Sequence, residues 1–392
     1  MASPKLDIVV YGATGFTGQL VAEYLAAHYK GDASLKWAMA GRSKEKLAAV
    51  RDAIGAPKDL PLIVADASDP ASLRAMVEQT KSVITTVGPY QYYGNDLLAA
   101  CVAAGTDYFD LCGEPVWMRQ MIDKHEAAAK ASGARIVFSC GFDSVPFELG
   151  TFFVQEEAKR VFGAPAARVK GRVRNMRGTL SGGTAASAKA TFDAVAKDLS
   201  LVAILNNPFA LTPGFEGPKQ PRGNKAVFED DLQSWAAPFM MALINTRNVH
   251  RSNMLMGFPY GKEFVYDEMV LTGPGEKGEA NAKLVMAANT EKTGPNAPKP
   301  GEGPSKQERE NGLYDLLYVA TASDGRRVRA GVKGDRDPGY GSTSKMISEC
   351  AICLLRDTPD VAGGFWTPGA AMQGKLIKRL EDHAGITFRT EK

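Results

Sequence analysis

The residues best suited to chemistry in this chain are three evenly spaced glycines near its start, Gly12, Gly15 and Gly18. Glycines between a strand and a helix let the backbone approach a pyrophosphate, whose charge then faces the N–H groups that begin the helix. The spacing is Gly-x-x-Gly-x-x-Gly, so the motif depends on its context, and an apolar run precedes it while helical spacing follows it. The residues predicted to hold the pyrophosphate are Gly12, Thr14, Gly15, Phe16 and Thr17.

A second group of residues indicates which dinucleotide binds. NAD sites usually place a carboxylate at the end of the second strand for the ribose 2′-hydroxyl, but this chain has Arg42 and Ser43 there. A guanidinium can pair with a 2′-phosphate through two charge-assisted hydrogen bonds. The alternative is that Arg42 belongs to a solvated helix start, where a cation is mildly unfavourable. We therefore predict NADP rather than NAD, with Asp66 and Ala67 flanking the adenine.

Further candidates follow the later strands, whose carboxyl ends meet at one crevice in a parallel sheet. Tyr90 and Asp143 are the candidate proton donors. For Tyr90 the alternative is aromatic packing, and for Asp143 the alternatives are capping of the next helix or orientation of ribose hydroxyls. The residues predicted to support the nicotinamide end or otherwise contact the cofactor are Val87, Gly88, Pro89 and Cys112.

The sequence gives little support for other kinds of catalytic site. None of the 12 tyrosines has a lysine four residues later, which argues against the Tyr-x-x-x-Lys chemistry of short-chain dehydrogenases. The four histidines form no evident Ser-His-Asp arrangement. Cys350 and Cys353 have no second pair nearby, so they are predicted to be buried helix residues, and no metal site is predicted.

The elements that position these residues alternate between strand and helix through the first half of the chain. This order predicts a Rossmann-type doubly wound parallel sheet over residues 1–147. Residues 148–335 are predicted to form a second α+β domain with a mostly antiparallel sheet, a hairpin at Asp324-Gly325 and a mobile loop at about 293–311. Helices in residues 336–392 are predicted to pack back on the first domain, and residues 236–244 to form a buried helix or a patch for lipid or a partner.

Composition narrows the class of protein. The 392 residues favour two domains, and 44% hydrophobic with 23% charged residues is typical of a globular protein. A net charge of +3 gives no reason to expect nucleic acid binding, and no apolar run is long enough for a transmembrane segment. The start of the chain lacks signal-peptide order, and five cysteines in apolar contexts indicate reduced thiols, so we expect a cytoplasmic protein.

Five motifs in order resemble the saccharopine dehydrogenase-like oxidoreductase family, in its bacterial branch of trans-acting enoyl reductases. They lie at residues 12–18, 88–90, 105–114, 141–146 and 181–184, and Trp366-Thr367-Pro368 also fits. The resemblance implies a nicotinamide-binding domain and a smaller sheet domain that often mediates homodimers.

The substrate is less constrained than the cofactor. The expected activity is NADP-dependent hydride transfer to or from an activated C=C or C=N bond of a small or lipid-like, acyl-chain substrate. Peripheral association of the protein with lipid is a further possibility that the sequence leaves open. The alternatives are an imine or amino-acid reductase of the saccharopine type, and a non-catalytic dinucleotide sensor or scaffold. Candidate cations for substrate carboxylates are Arg168, Arg172, Arg174, Arg177, Arg247 and Arg251.

Overall fold

The fold is taken from a computed structural model, which describes residues 6–179, 182–291 and 301–392, without the side chains of residues 182–185, 188, 192 and 289–291. The strands are β1 (Leu6–Tyr11), β2 (Trp37–Gly41), β3 (Leu62–Val64), β4 (Thr80–Thr85), β5 (Asp107–Phe109), β6 (Arg135–Val137), β7 (Arg168–Arg177), β8 (Val227–Glu229), β9 (Ser234–Pro238), β10 (Val265–Gly273), β11 (Leu313–Thr321), β12 (Arg327–Gly334), β13 (Gly364–Trp366) and β14 (Ile386–Glu391). The helices are α1 (Phe16–His28), α2 (Lys44–Ala53), α3 (Pro70–Val77), α4 (Tyr90–Tyr93), α5 (Asn95–Ala104), α6 (Pro115–Ser132), α7 (Val145–Phe162), α8 (Gly182–Lys197), α9 (Leu201–Asn206), α10 (Ala242–Leu255), α11 (Gly275–Glu291), α12 (Lys306–Glu310), α13 (Thr343–Arg356) and α14 (Pro368–Arg379). Two π-helical turns lie at Pro338–Ser342 and Leu380–Ala384.

The first sheet is parallel throughout, in the order β13-β6-β5-β4-β1-β2-β3. Its central strand β1 is fully buried at Ile8, Val9 and Val10, as expected for a parallel strand that is covered on both faces by helices. The strand order reverses between β1 and β4, and this reversal opens a crevice at the carboxyl ends of the strands. The predicted doubly wound sheet is confirmed.

The second sheet has the order β14-β12-β11-β7-β10-β9-β8 and is antiparallel except where β7 runs parallel to β10. Helix α7 joins the two sheets and lies against β11, where the Tyr318 hydroxyl donates to the Pro146 carbonyl at 2.8 Å. One cluster of buried side chains continues from Val10 in the first sheet to Tyr318 in the second. The predicted second, mostly antiparallel sheet is also confirmed.

The prediction of a helix over residues 236–244 is wrong. Strand β9 occupies the first part of this segment and pairs with β10, with Ala237 opposite Val270, and α10 begins only at Ala242. Pro238 ends the strand, in agreement with its lack of a backbone donor. This segment is apolar because Ala236 and Ala237 are buried in a sheet. A short apolar run by itself does not distinguish such a strand from a buried helix.

The last part of the chain divides between the two sheets. Helix α13 lies against α1, and β13 adds a seventh strand to the first sheet, but β14 pairs with β12 in the second sheet. Of the predicted mobile loop, residues 293–300 lie outside the described residues. The rest includes α12, which begins with a capping box between Ser305 and Glu308.

Candidate active site

The glycine turn between β1 and α1 has the geometry of a phosphate cradle. Gly12 has φ +85°, and an added Cβ there would lie 2.7 Å from Val87 Cγ2. An added Cβ on Gly18 would lie 2.1 Å from the Gly12 carbonyl oxygen, so this glycine lets α1 pack closely on the turn. Gly15 is exposed, and a Cβ there would meet only the Gly12 oxygen at 3.3 Å, which leaves the outer side of the turn open.

The start of α1 offers an anion donors, the N–H groups of Phe16 and Thr17, that no described residue binds. Its N-cap Gly15 supplies no side chain to the first N–H groups, and its first turn carries no acidic residue. Free N–H groups and the partial positive charge of a helix start together favour a phosphate. Gly12, Thr14, Gly15, Phe16 and Thr17 are therefore brought together as predicted, in an arrangement that fits a pyrophosphate.

The end of β2 lies beside this turn, because an added Cβ on Gly41 would be 3.7 Å from Thr14 Oγ1. Arg42 is exposed, and it forms no ion pair or hydrogen bond with any side chain in the described ranges. The Ser68 N–H and hydroxyl, and then the Arg42 charge, lower the pKa of Asp66, which places Asp66 near this guanidinium. Ser43 caps α2 by accepting from the Lys46 N–H, while its hydroxyl donates to Glu45. Ala67 follows Asp66 and is half-buried.

The opposite end of the crevice is formed by Val87, Gly88 and Pro89 after β4. Gly88 is exposed, the Gly88–Pro89 peptide is cis, and Val87 packs on Gly12. Glu114 fixes the following turn. Its carboxylate accepts from the Tyr90 and Gln91 N–H groups at 2.9 and 3.0 Å and from the Ser187 hydroxyl of α8 at 2.9 Å. A helix of the second unit is thereby attached to the crevice.

The position of Tyr90 argues against a role as proton donor. The ring is 5% exposed, and its hydroxyl donates to the Thr85 carbonyl and accepts from the Leu111 N–H. Burial raises the pKa of Tyr90 well above its usual value. The hydroxyl hydrogen is thus committed to the main chain, and the alternative of aromatic packing, here against Trp117, fits better.

Cys112 is also enclosed, which argues against the predicted cofactor contact. It is 0% exposed, and its sulfur accepts from the Glu114 N–H. Beside it, Asp110 accepts from the Cys112 and Ser139 N–H groups and from the Tyr108 hydroxyl. Burial raises the pKa of Asp110 to about 7. This carboxyl joins the ends of β5 and β6 and is fully buried.

Asp143 lies in the wall of a cavity at the end of β6. The cavity has a volume of about 400 Å³, including its open side, and its lining includes Leu111, Phe142, Asp143, Met241, Tyr340 and Thr343. Desolvation raises the pKa of Asp143 to about 6. Helix α7 has Ser144 as its N-cap residue, and no side chain caps it, so the capping alternative for Asp143 is excluded. No hydrogen bond to the Asp143 carboxyl occurs within the part of the chain that the structure describes.

The loop that carries Asp143 is held by a residue that sequence reasoning missed. Thr343 accepts from the Phe142 N–H at 2.9 Å and donates to the Pro338 carbonyl at 2.8 Å. Tyr340, from the same segment, also lines the cavity and packs edge-on against Phe16 at 5.2 Å. The glycine-rich run Pro338-Gly339-Tyr340-Gly341 was a readable signal for a site loop.

A second hollow, of about 570 Å³ including its open side, lies between α6 and α8. Amide side chains of Gln91, Asn95 and Gln120 line it together with Trp117 and Leu201. Leu111 borders the first cavity and Glu114 the second, so at most about 11 Å of chain separates these two wall residues.

The arginines proposed for substrate carboxylates are largely occupied. Arg172, Arg247 and Arg251 are at most 4% exposed. Each of the six guanidiniums bonds to a carboxylate or a main-chain carbonyl; the pairs are Arg168 with Asp267, Arg172 with Glu229, Arg174 with Asp315 and Glu391, Arg177 with Asn311, Arg247 with Leu205 and Leu243, and Arg251 with Leu211 and Phe365. His250 is also buried, and burial lowers its pKa to about 3.

The described residues hold no group of three or more His, Cys, Asp or Glu side chains placed to bind a metal. None of their helices combines the length and apolar character needed to cross a membrane.

Comparison with known proteins identifies the class. The model of the saccharopine dehydrogenase NADP-binding domain family matches residues 8–137, which include the glycine turn and the β2 end. Apo saccharopine dehydrogenase (L-Glu forming) of Saccharomyces cerevisiae has the same fold, with a TM-score of 0.55 at 11% identity over 99% of this chain and 100% of that one. The chain is an NAD(P)-dependent oxidoreductase whose cofactor is NADP.

Full-length relatives define the branch. A Mycobacterium tuberculosis protein described as a trans-acting enoyl reductase is 39% identical, over 99% of this chain and 98% of its own. The trans-acting enoyl reductase of Mycobacterium ulcerans is 35% identical over 99% of each chain. The chain belongs to the saccharopine dehydrogenase-like oxidoreductases, in their trans-acting enoyl reductase branch.

Proposed function

We propose that this oxidoreductase uses NADPH to reduce an activated C=C bond in an acyl-type substrate, such as an α,β-unsaturated thioester. The observation that carries the proposal is the Asp143 carboxyl, which lies without a described hydrogen-bond partner in a cavity also walled by Leu111, Phe142 and Met241. The names of the mycobacterial relatives support the same reaction class.

The residues of the crevice fit NADPH. Gly12, Thr14, Gly15, Phe16 and Thr17 hold the pyrophosphate, Arg42 and Ser43 hold the 2′-phosphate, and Asp66 with Ala67 flank the adenine. Val87, Gly88 and Pro89 support the nicotinamide end. When bound, NADPH supplies a hydride to an electron-poor carbon.

Asp143 supplies the proton that completes the reduction. An enoyl group that gains a hydride at its β-carbon becomes an enolate, and the α-carbon then needs a proton. A carboxyl with a pKa near 6 is protonated in a useful fraction near neutral pH. Thr343 positions this group through the Phe142 N–H.

The walls of the two hollows favour an acyl thioester over an amino-acid imine. A dicarboxylate imine needs free cations, whereas the candidate arginines already bond to protein oxygens. The second hollow, with its three amides, suits the neutral amide-bearing arm of a thioester. Association as a homodimer and at a lipid surface both stay predictions.

The test is NADPH oxidation, followed at 340 nm, with a panel of substrates. We expect turnover with crotonyl and longer trans-2-enoyl pantetheine thioesters. A keto acid with an amine should give none, and saturated thioesters serve as the control. Turnover with the keto acid and amine alone would instead support the imine alternative and contradict the proposal.

A further inference from the structure

A half-buried cation from the second unit lies beside the phosphate turn. Arg309 belongs to α12, and its guanidinium carbon is 5.7 Å from the centre of the Phe16 ring. Phe16 is the first residue of α1, so its N–H is among those predicted to face the pyrophosphate. A residue far along the chain thus brings a positive charge to the turn.

Arg309 forms no ion pair with a carboxylate of the described ranges. Its Nη1 donates to the Pro304 carbonyl at 2.7 Å. Asp337 lies close enough to feel its charge, yet the two Asp337 oxygens accept from the Tyr340 and Gly341 N–H groups. By contrast, its neighbour Arg336 is paired with Asp335.

Several contacts hold the segment that carries this guanidinium in place. Gly303 packs directly on Phe16, because an added Cβ would lie 2.4 Å from the ring. The capping box of Ser305 and Glu308 fixes α12, and the Arg309 carbonyl accepts from the Asp337 N–H at 3.0 Å. Arg309 is therefore a positioned side chain rather than a free surface charge.

A cation beside the positive end of a helix is unfavourable, unless an anion lies close to both. We propose that Arg309 binds the pyrophosphate of the dinucleotide, so that the second unit supplies a direct cofactor contact. A guanidinium fork suits two phosphate oxygens. Because NADPH and NADH share the pyrophosphate, this contact is expected to strengthen the binding of both equally. A contact to the 2′-phosphate would strengthen the binding of NADPH alone.

The test is calorimetric titration of the intact protein with NADPH and with NADH. We expect Arg309→Gln to raise both dissociation constants by a similar factor, roughly 10- to 100-fold, and Arg309→Lys to raise them less because it keeps the charge. Lys306→Ala, an exposed change on the same helix, is the matched control and should alter neither.

Thermal unfolding of the free variants separates binding from folding, and a variant with an unchanged Tm and unchanged affinity for both nucleotides would overturn the proposal. A loss confined to NADPH would also overturn it, because it would place Arg309 at the 2′-phosphate. These readouts require no substrate, so they stand apart from the enoyl reduction assay.

Discussion

The Asp143→Asn enzyme is expected to lose about 100- to 10,000-fold in kcat for enoyl thioester reduction, the range that a positioned acid contributes. Asparagine keeps the shape of the side chain but supplies no carboxyl proton. Since Asp143 has no described hydrogen-bond partner, the change should leave the loop intact. We therefore expect the dissociation constant of NADPH to stay within about twofold of wild type, because no cradle contact is lost.

The pH dependence gives this prediction a second, independent readout. An acid must be protonated to act, so kcat/KM of the wild type should be highest below pH 6 and fall as pH rises through about 6, the pKa of Asp143. The Asp143→Asn profile should lack this step. Asp324→Asn, an exposed change in the hairpin turn, is the control. Full activity of Asp143→Asn with an unchanged profile would remove Asp143 from the mechanism.

Reversal of charge at Arg42 should change cofactor preference. The Arg42→Glu substitution replaces a guanidinium, which can form two charge-assisted hydrogen bonds, with a carboxylate, which repels the 2′-phosphate. We expect the dissociation constant of NADPH to rise by roughly 100-fold or more. The affinity for NADH should hold or improve, since a carboxylate can accept from the ribose 2′-hydroxyl.

Lys44→Glu makes the same charge change two residues away and is the matched control for Arg42→Glu. Lys44 is exposed at the start of α2, and we expect it to shift NADPH affinity only slightly, through screened long-range charge. Fluorescence titration of both variants with both nucleotides provides the comparison. Equal weakening of NADPH and NADH in Arg42→Glu would contradict the assignment of this residue to the 2′-phosphate.

The first sheet was predictable because its signals are local. Each of its first six strands is a short apolar run followed by glycine or polar residues, and caps such as Asp69 mark the helices between them. The edge strands β13 and β14 were not predictable, because they join sheets formed by residues far away in sequence. Strand β9 was missed for a different reason. Its short apolar run resembles a buried helix, and only its pairing with β10 separates the two.

The candidate site also has a part that could be predicted from the sequence and a part that could not. The glycine turn and Arg42 follow from adjacent residues, but Tyr340, Thr343 and Arg309 reach the crevice from the second half of the chain, which no spacing indicates. Asp143 was recognised with three alternative roles, and only the position of the Ser144 cap excluded one of them. Tyr90 and Cys112 were suggested by their place at strand ends, whereas their burial depends on packing against Trp117 and Asp110.

The most direct test of the account follows two hydrogens in one reaction. The intact enzyme would be given trans-2-enoyl pantetheine thioester and NADPH that carries deuterium at nicotinamide C4, and the product would be analysed by NMR; a parallel reaction would use unlabelled NADPH in D₂O. We predict cofactor deuterium at the β-carbon and solvent deuterium at the α-carbon. An enoyl thioester left unreduced, while cofactor deuterium enters an amine product when a keto acid and an amine replace the thioester, would contradict the account.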